Sequence, residues 1–216
     1  VKGRLWAITI ASLAFAYIEA AVVVYLRQLY YPEGFHFPLV SLELPLLAVE
    51  VGRETATLIL LAVLAWLAGR NFIARFAAFI LAFGVWDLGY YAWLKIFLNW
   101  PTSLLDWDIL FLIPLPWVGP VLSPLLVSLA LVIAGILLAP FGEQTQPPSF
   151  PKKAWLVESG VGLVIFMTYL WNTPAILAGG KPTQYPWMIF LVAYGTAWAV
   201  FLSEWQKVKQ SLQNGE

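Results

Sequence analysis

The amino-acid sequence predicts an all-α integral membrane protein: a bundle of about six transmembrane helices, with a proline-rich broken or re-entrant segment (about 104–120) before the fourth span. Three observations predict it. Of the 216 residues, 61% are hydrophobic and 11% charged, against about 45–50% and roughly 25% in a soluble domain. The apolar residues fall into runs of about 17–25, the length a helix needs to cross roughly 30 Å of hydrocarbon. The 12 Trp, 9 Tyr and 14 Phe supply amphipathic rings of the kind that gather at both membrane–water interfaces.

The first span, about 5–26, follows Lys2 and Arg4. Its apolar run exceeds the core of a secretory signal, and no small-residue cleavage site follows, so it is expected to be a retained helix. The second and third spans run about 44–68 and 72–98. An aromatic loop at 28–42, with Tyr30, Tyr31, Phe35 and Phe37, is expected to form a cap together with the segment about 104–120. In that segment the apolar part 109–117 is too short to span, and Pro114, Pro116 and Pro120 each remove a backbone donor. Irregular backbone at membrane depth is tolerated only where protein or water satisfies it, so the segment should pack against the bundle or line a cavity. The last three spans run about 121–139, 155–177 and 186–205. The linker 140–153, with Pro147 and Pro148, reads as a cytoplasmic hinge between a four-helix front part and a two-helix tail. Residues 1–216 are expected to form a single polytopic membrane domain.

Basic residues accumulate on the cytoplasmic side of membrane proteins. With the N-terminus inside, Lys2, Arg4, Arg70, Arg75, Lys152, Lys153, Lys207 and Lys209 lie at cytoplasmic ends. Only Arg27, Arg53, Lys95 and Lys181 lie on the outer side. The expected location is therefore a plasma or inner membrane, with both termini cytoplasmic.

Charged residues inside the spans carry the functional signal, because each costs about 2.5–3.5 kcal/mol at a helix centre and needs a partner or a purpose. At 1.5 Å per residue, Glu19 lies about 21 Å from the inner edge of its span, Glu50 and Glu54 about 9 and 15 Å below the outer edge of theirs, and Asp87 about 22 Å into the third. Asp106 and Asp108 lie further out, while Glu143, Glu158, Glu204 and Glu216 belong to the inner side or the tail. On the second span Glu50, Arg53, Glu54 and Thr57 share one face. Arg53 is thus expected to pair with Glu50 or Glu54 and, across the interface, with Glu19 or Asp87. On the third span Asp87, Tyr91 and Lys95 form an i, i+4, i+8 stripe beside Tyr90. Glu19 and Arg27 share a face of the first.

The expected binding cluster is therefore Glu19, Glu50, Arg53, Glu54, Asp87, Tyr91, Lys95, Asp106 and Asp108, rimmed by Trp86, Trp93, Trp107 and Trp117. Asp87 is the residue most closely tied to function, since it must borrow Arg53 or hold a proton. The bland readings are an interhelical network that fixes helix register, Asp106 and Asp108 as caps of a following helix-like turn, and tryptophans that form only the interface belt.

Composition excludes much chemistry. There is no Cys, so disulfides and thiolate chemistry are absent. The single histidine, His36, is expected on a surface loop and cannot supply bis-His haem ligation, an HExxH site or a Ser/His/Asp triad. Glu50-Val-Gly-Arg-Glu54 lacks the histidines of a glutamate-based intramembrane peptidase. Zero net charge gives no reason to expect nucleic acid. No cofactor, no metal site and no assigned catalytic residue follow from the sequence, and the expected partners are the lipid bilayer and, in one reading, other membrane subunits or a second copy. Three function classes remain. The first binds or translocates a proton, cation or small polar solute at the acidic site. The second is an accessory subunit of a larger membrane (bioenergetic) complex. The third is a membrane-embedded enzyme acting on a lipid or isoprenoid, with Asp87 or Glu54 as general acid or base.

Overall fold

The structure, a computed structural model, describes residues 1–214; Glu216 lies outside them. In chain order the elements are α1 (Lys2–Tyr30), α2 (Leu44–Ala68), α3 (Phe72–Leu98), β1 (Trp107–Phe111), β2 (Trp117–Pro120), α4 (Leu122–Leu138), α5 (Lys152–Tyr169), α6 (Thr173–Leu177) and α7 (Trp187–Asn214). Six helical segments are long and apolar enough to cross a membrane. Two match their predicted bounds, 44–68 and 72–98. The first and last run several residues beyond the apolar stretch, because Lys2, Arg4, Arg27, Lys207 and Lys209 continue the helix while carrying their charges at its ends.

Helix α3 is the axis of the bundle, touching α1, α2 and α4. Small residues at a helix–helix contact let the backbones approach closely. A Cβ built on Gly84 would lie 2.5 Å from the Ser128 carbonyl oxygen of α4, and one on Gly135 would lie 2.8 Å from Leu81 Cβ. On the other flank, a Cβ on Gly89 would meet Ala16 Cβ of α1 at 2.9 Å. The start of α3 is fixed by Asn71, whose carbonyl accepts from the Ala74 N–H at 2.9 Å while its amide donates to the Gly142 carbonyl at 2.8 Å. It ends at Asn99, which takes the left-handed conformation (φ 51°, ψ 29°) of a helix C-cap.

The irregular segment before α4 is a β-hairpin. Trp107 pairs with Pro120, Asp108 with Gly119 and Ile109 with Val118 in antiparallel register, with an irregularity before Phe111 meets Trp117. Pro114 and Pro116 fall in the turn and Pro120 ends its strand, where missing donors are tolerated. Phe111 and Val118 are buried beneath it, and the Phe111 ring lies 5.2 Å from Trp117, 6.0 Å from Trp86 and 6.4 Å from Phe83. The end of the bundle that carries this hairpin also carries the loop 31–43, in which the Val40 N–H donates to Tyr31 Oη at 2.8 Å.

Helices α5 and α7 pack on each other as a pair. The predicted fifth span is interrupted after Tyr169, and Asn172 organises the break by accepting from the Thr183 N–H at 3.0 Å and donating to the Gln184 carbonyl at 3.1 Å. Three side-chain donors on α6 and α7 reach the front part: Thr173 to the Pro116 carbonyl (2.6 Å), Tyr194 to that of Leu126 (3.1 Å) and Trp205 to that of Leu137 (3.2 Å). The linker is pinned where it leaves α4. Phe141 and Gly142 are buried in a 3-10 turn, Phe141–Glu143, and Glu143 forms an ion pair with Arg4 of α1.

Candidate functional site

The polar face of α2 turns inward against α1. Glu50, Glu54 and Thr57 are buried, and Arg53 forms ion pairs with Glu50 at 2.8 Å and with Glu19 across the helix interface. The hydroxyl of Thr57 lies 3.0 Å from both Glu19 Oε2 and the Arg53 carbonyl. Glu54 faces the hairpin instead, where its Oε2 accepts from the Leu112 N–H at 2.8 Å. A donor freed by the turn is thus satisfied by a carboxylate from another element, as buried backbone requires.

A second ion pair lies beneath the hairpin strand. Arg27 of α1 donates to Asp108 Oδ1 at 2.9 Å, and the Tyr91 hydroxyl of α3 donates to Asp108 Oδ2 at 3.2 Å. Asp108 is 2% exposed, so losing Arg27 would strand its charge. The Arg27 guanidinium is held between rings, 3.8 Å from the Trp100 centroid and 4.4 Å from that of Phe35. Asp87 stands apart from both pairs. Its one hydrogen bond is from the Ser128 hydroxyl of α4, at 2.7 Å, and among the described residues no cation pairs with it. Glu54 and Asp108 both meet the hairpin, and Tyr91, one turn from Asp87 on α3, donates to Asp108, so the three groups gather in a layer beneath it.

The structure thus brings Glu19, Glu50, Arg53, Glu54, Asp87, Tyr91 and Asp108 into that layer, and leaves Lys95 and Asp106 out of it. Lys95 is exposed and donates to the carbonyls of Asn99 (3.4 Å) and Pro101 (3.0 Å) beyond the end of α3. Asp106 does not cap a following helix. It closes the preceding turn, accepting from the Thr102 N–H and hydroxyl, both at 2.7 Å, and from the Ser103 N–H at 3.0 Å. Slight burial works to raise the Asp106 pKa, but these donors and the nearby Lys95 outweigh it and hold the group below the ordinary 3.8. Asp108 is not a cap either, since it sits inside β1 with its carboxylate on Arg27.

No family model, curated protein or solved structure matches this chain. Its geometry therefore carries the reading alone. Above the layer, at the hairpin end, a cavity of about 860 Å³ is lined by Arg27, Tyr31, Phe35, His36, Trp100 and Asp106, among others. Arg27 is common to this vestibule and the layer beneath. No cluster of His, Asp and Glu suited to a metal ion occurs among the described residues. Trp86, expected at a rim, is 4% exposed and belongs to the core.

Two participants were hard to see in the sequence. Ser128 sits in the most apolar span, where a lone serine reads as a small packing residue, and Arg27 gave only its shared helix face with Glu19. Five carboxylates (Glu19, Glu50, Glu54, Asp87, Asp108) face two guanidiniums (Arg27, Arg53) in the layer. Acid exceeds base in a setting where unpaired charge is expensive.

Proposed function

We propose that the protein is a multi-pass membrane protein of a plasma or inner membrane, with both termini cytoplasmic, that binds or translocates a proton, a cation or a small polar solute at the acidic layer beneath its hairpin. The observation that carries this reading is Asp87, a carboxylate paired with a hydroxyl alone while both neighbouring guanidiniums are committed elsewhere. A carboxylate so placed takes a proton or a small cation as its missing partner. The vestibule, lined by Arg27 and Asp106, offers an approach from the hairpin end.

The test is reconstitution into liposomes that contain a pH-sensitive dye, with an imposed pH or cation gradient. Wild type should relax the gradient, and Asp87→Asn, which keeps the shape and the Ser128 contact, should remove that flux while leaving thermal stability unchanged. The closure of both ion pairs favours a second reading, an accessory subunit in which the layer only fixes helix register. Under that reading Asp87→Asn alters stability and no gradient-dependent flux is found.

A further inference from the structure

A second cavity, which shares no residue with the acidic layer, runs between the α3/α4 wall and the α5/α7 pair. It encloses about 540 Å³, within the roughly 300–1,000 Å³ typical of small-molecule sites. It extends from Phe150 and Trp155 at one end to Trp117 and Tyr169 under the hairpin, with walls of Ile80, Leu131 and Ile165 between. We infer that this groove is a binding site for an isoprenoid quinone, with the ring near Glu158 and the isoprenoid tail along the apolar wall toward the hairpin.

Three observations choose that occupant. Glu158 lines the groove, and its buried Oε1 has no hydrogen-bond partner. An oxygen in that position calls for a ligand that can complete the bond, and a quinone does so in either redox form. A quinol hydroxyl donates to the carboxylate, and a quinone carbonyl accepts from the carboxylic acid. Glu204 of the neighbouring helix α7, whose own partner is Lys207 at 2.6 Å, also lines the groove. A fatty acid or a phosphodiester head would therefore meet two carboxylates of its own sign of charge.

The end near Glu158 is lined by Phe76, Phe150, Trp155 and Phe201. Trp155 meets Phe76 and Phe150 edge-on at 5.0 and 6.5 Å, which leaves ring faces for a planar head to stack upon. Finally, Gly162 lines the groove from the middle of α5, and a Cβ added there would meet nothing within 4 Å. A glycine at that place costs the helix up to about 1 kcal/mol relative to alanine and keeps the space open. No electron transfer is assigned; the inference is one of binding.

The test is titration of the purified full chain in detergent with decylubiquinone, read by quenching of tryptophan fluorescence, since Trp155 and Trp198 line the groove. Saturable quenching is expected. Gly162→Leu, which fills the open space and strengthens the helix, should abolish it. Glu158→Leu should weaken it by about tenfold, the loss of one hydrogen bond to an ionisable group. Both variants should elute and melt as wild type, because each replaces a costly group by an apolar one. Quenching that rises linearly without saturation, or that Gly162→Leu leaves intact, overturns the inference. So does displacement by dodecanoate, which would make the groove a seat for acyl chains.

Discussion

The Glu54 carboxylate accepts the Leu112 backbone N–H at 2.8 Å, and this bond hooks the turn of the hairpin onto helix α2. A carboxylate that looks like a member of an ion-pair cluster when α2 is viewed alone is here an anchor for backbone. Glu54→Ala leaves that N–H unsatisfied and should cost about 1–3 kcal/mol, whereas Glu54→Gln keeps an acceptor and should cost less. Hydrogen exchange at the hairpin amides checks this. Equal protection in wild type and Glu54→Ala would show that the hook carries no energy.

Arg53 holds two carboxylates on two helices, Glu50 and Glu19. Removing one partner of a buried pair typically costs about 3–5 kcal/mol, because the remaining charge stays buried without compensation. Arg53→Ala should show a loss of that order in thermal or denaturant unfolding in detergent. Arg53→Met combined with Glu19→Gln and Glu50→Gln should recover most of it. A single variant as stable as wild type would mean that water already solvates the layer.

The turn closed by Asp106 should respond to acid. Its pKa lies below the ordinary 3.8 in the folded chain, so its contribution to stability is present above that value and is lost as pH falls through the depressed one. Limited proteolysis near Thr102–Asp106 should accelerate below about pH 4 in wild type. In Asp106→Asn the cleavage rate should no longer change with pH. A wild-type rate that stays flat down to pH 2 would remove Asp106 as the responsive group.

Orientation is checked with single cysteines in this cysteine-free chain. The proposed orientation, drawn from the eight-to-four bias of basic residues, has loop 31–43 outside and the linker inside. An impermeant thiol reagent applied to intact cells should label Glu33→Cys and spare Pro148→Cys. The reverse pattern would turn the vestibule toward the cytoplasm.

Much of the bundle was legible because helices long and apolar enough to cross a bilayer are marked by length and composition together. The apolar runs 44–68 and 72–98 became helices with those bounds, while for Arg53 spacing and depth offered Glu50 or Glu54 and Glu19 or Asp87, of which the structure has Glu50 and Glu19. The hairpin was not legible. Its strands are five and four residues long, too short to show an alternating pattern, and its prolines signalled only that no helix could persist. Lys95 has the right helical phase to join the stripe through Asp87 and Tyr91, but α3 ends at Leu98 and offers it free carbonyls instead. The link from Arg27 to Asp108 spans 81 residues, a separation that no local rule bridges.

Among the described residues, three hydrogen bonds from α6 and α7 to the front part end on main-chain carbonyls, those of Pro116, Leu126 and Leu137. Every residue type presents a carbonyl, so recognition across this seam is written in one partner only. Thr173, Tyr194 and Trp205 must keep their donors, while the residues opposite are free to drift in identity as long as the backbone keeps its path. Mutational tolerance should therefore be lopsided: deep at the three donor positions and shallow at the three acceptors, with each side of the joint evolving under a different rule.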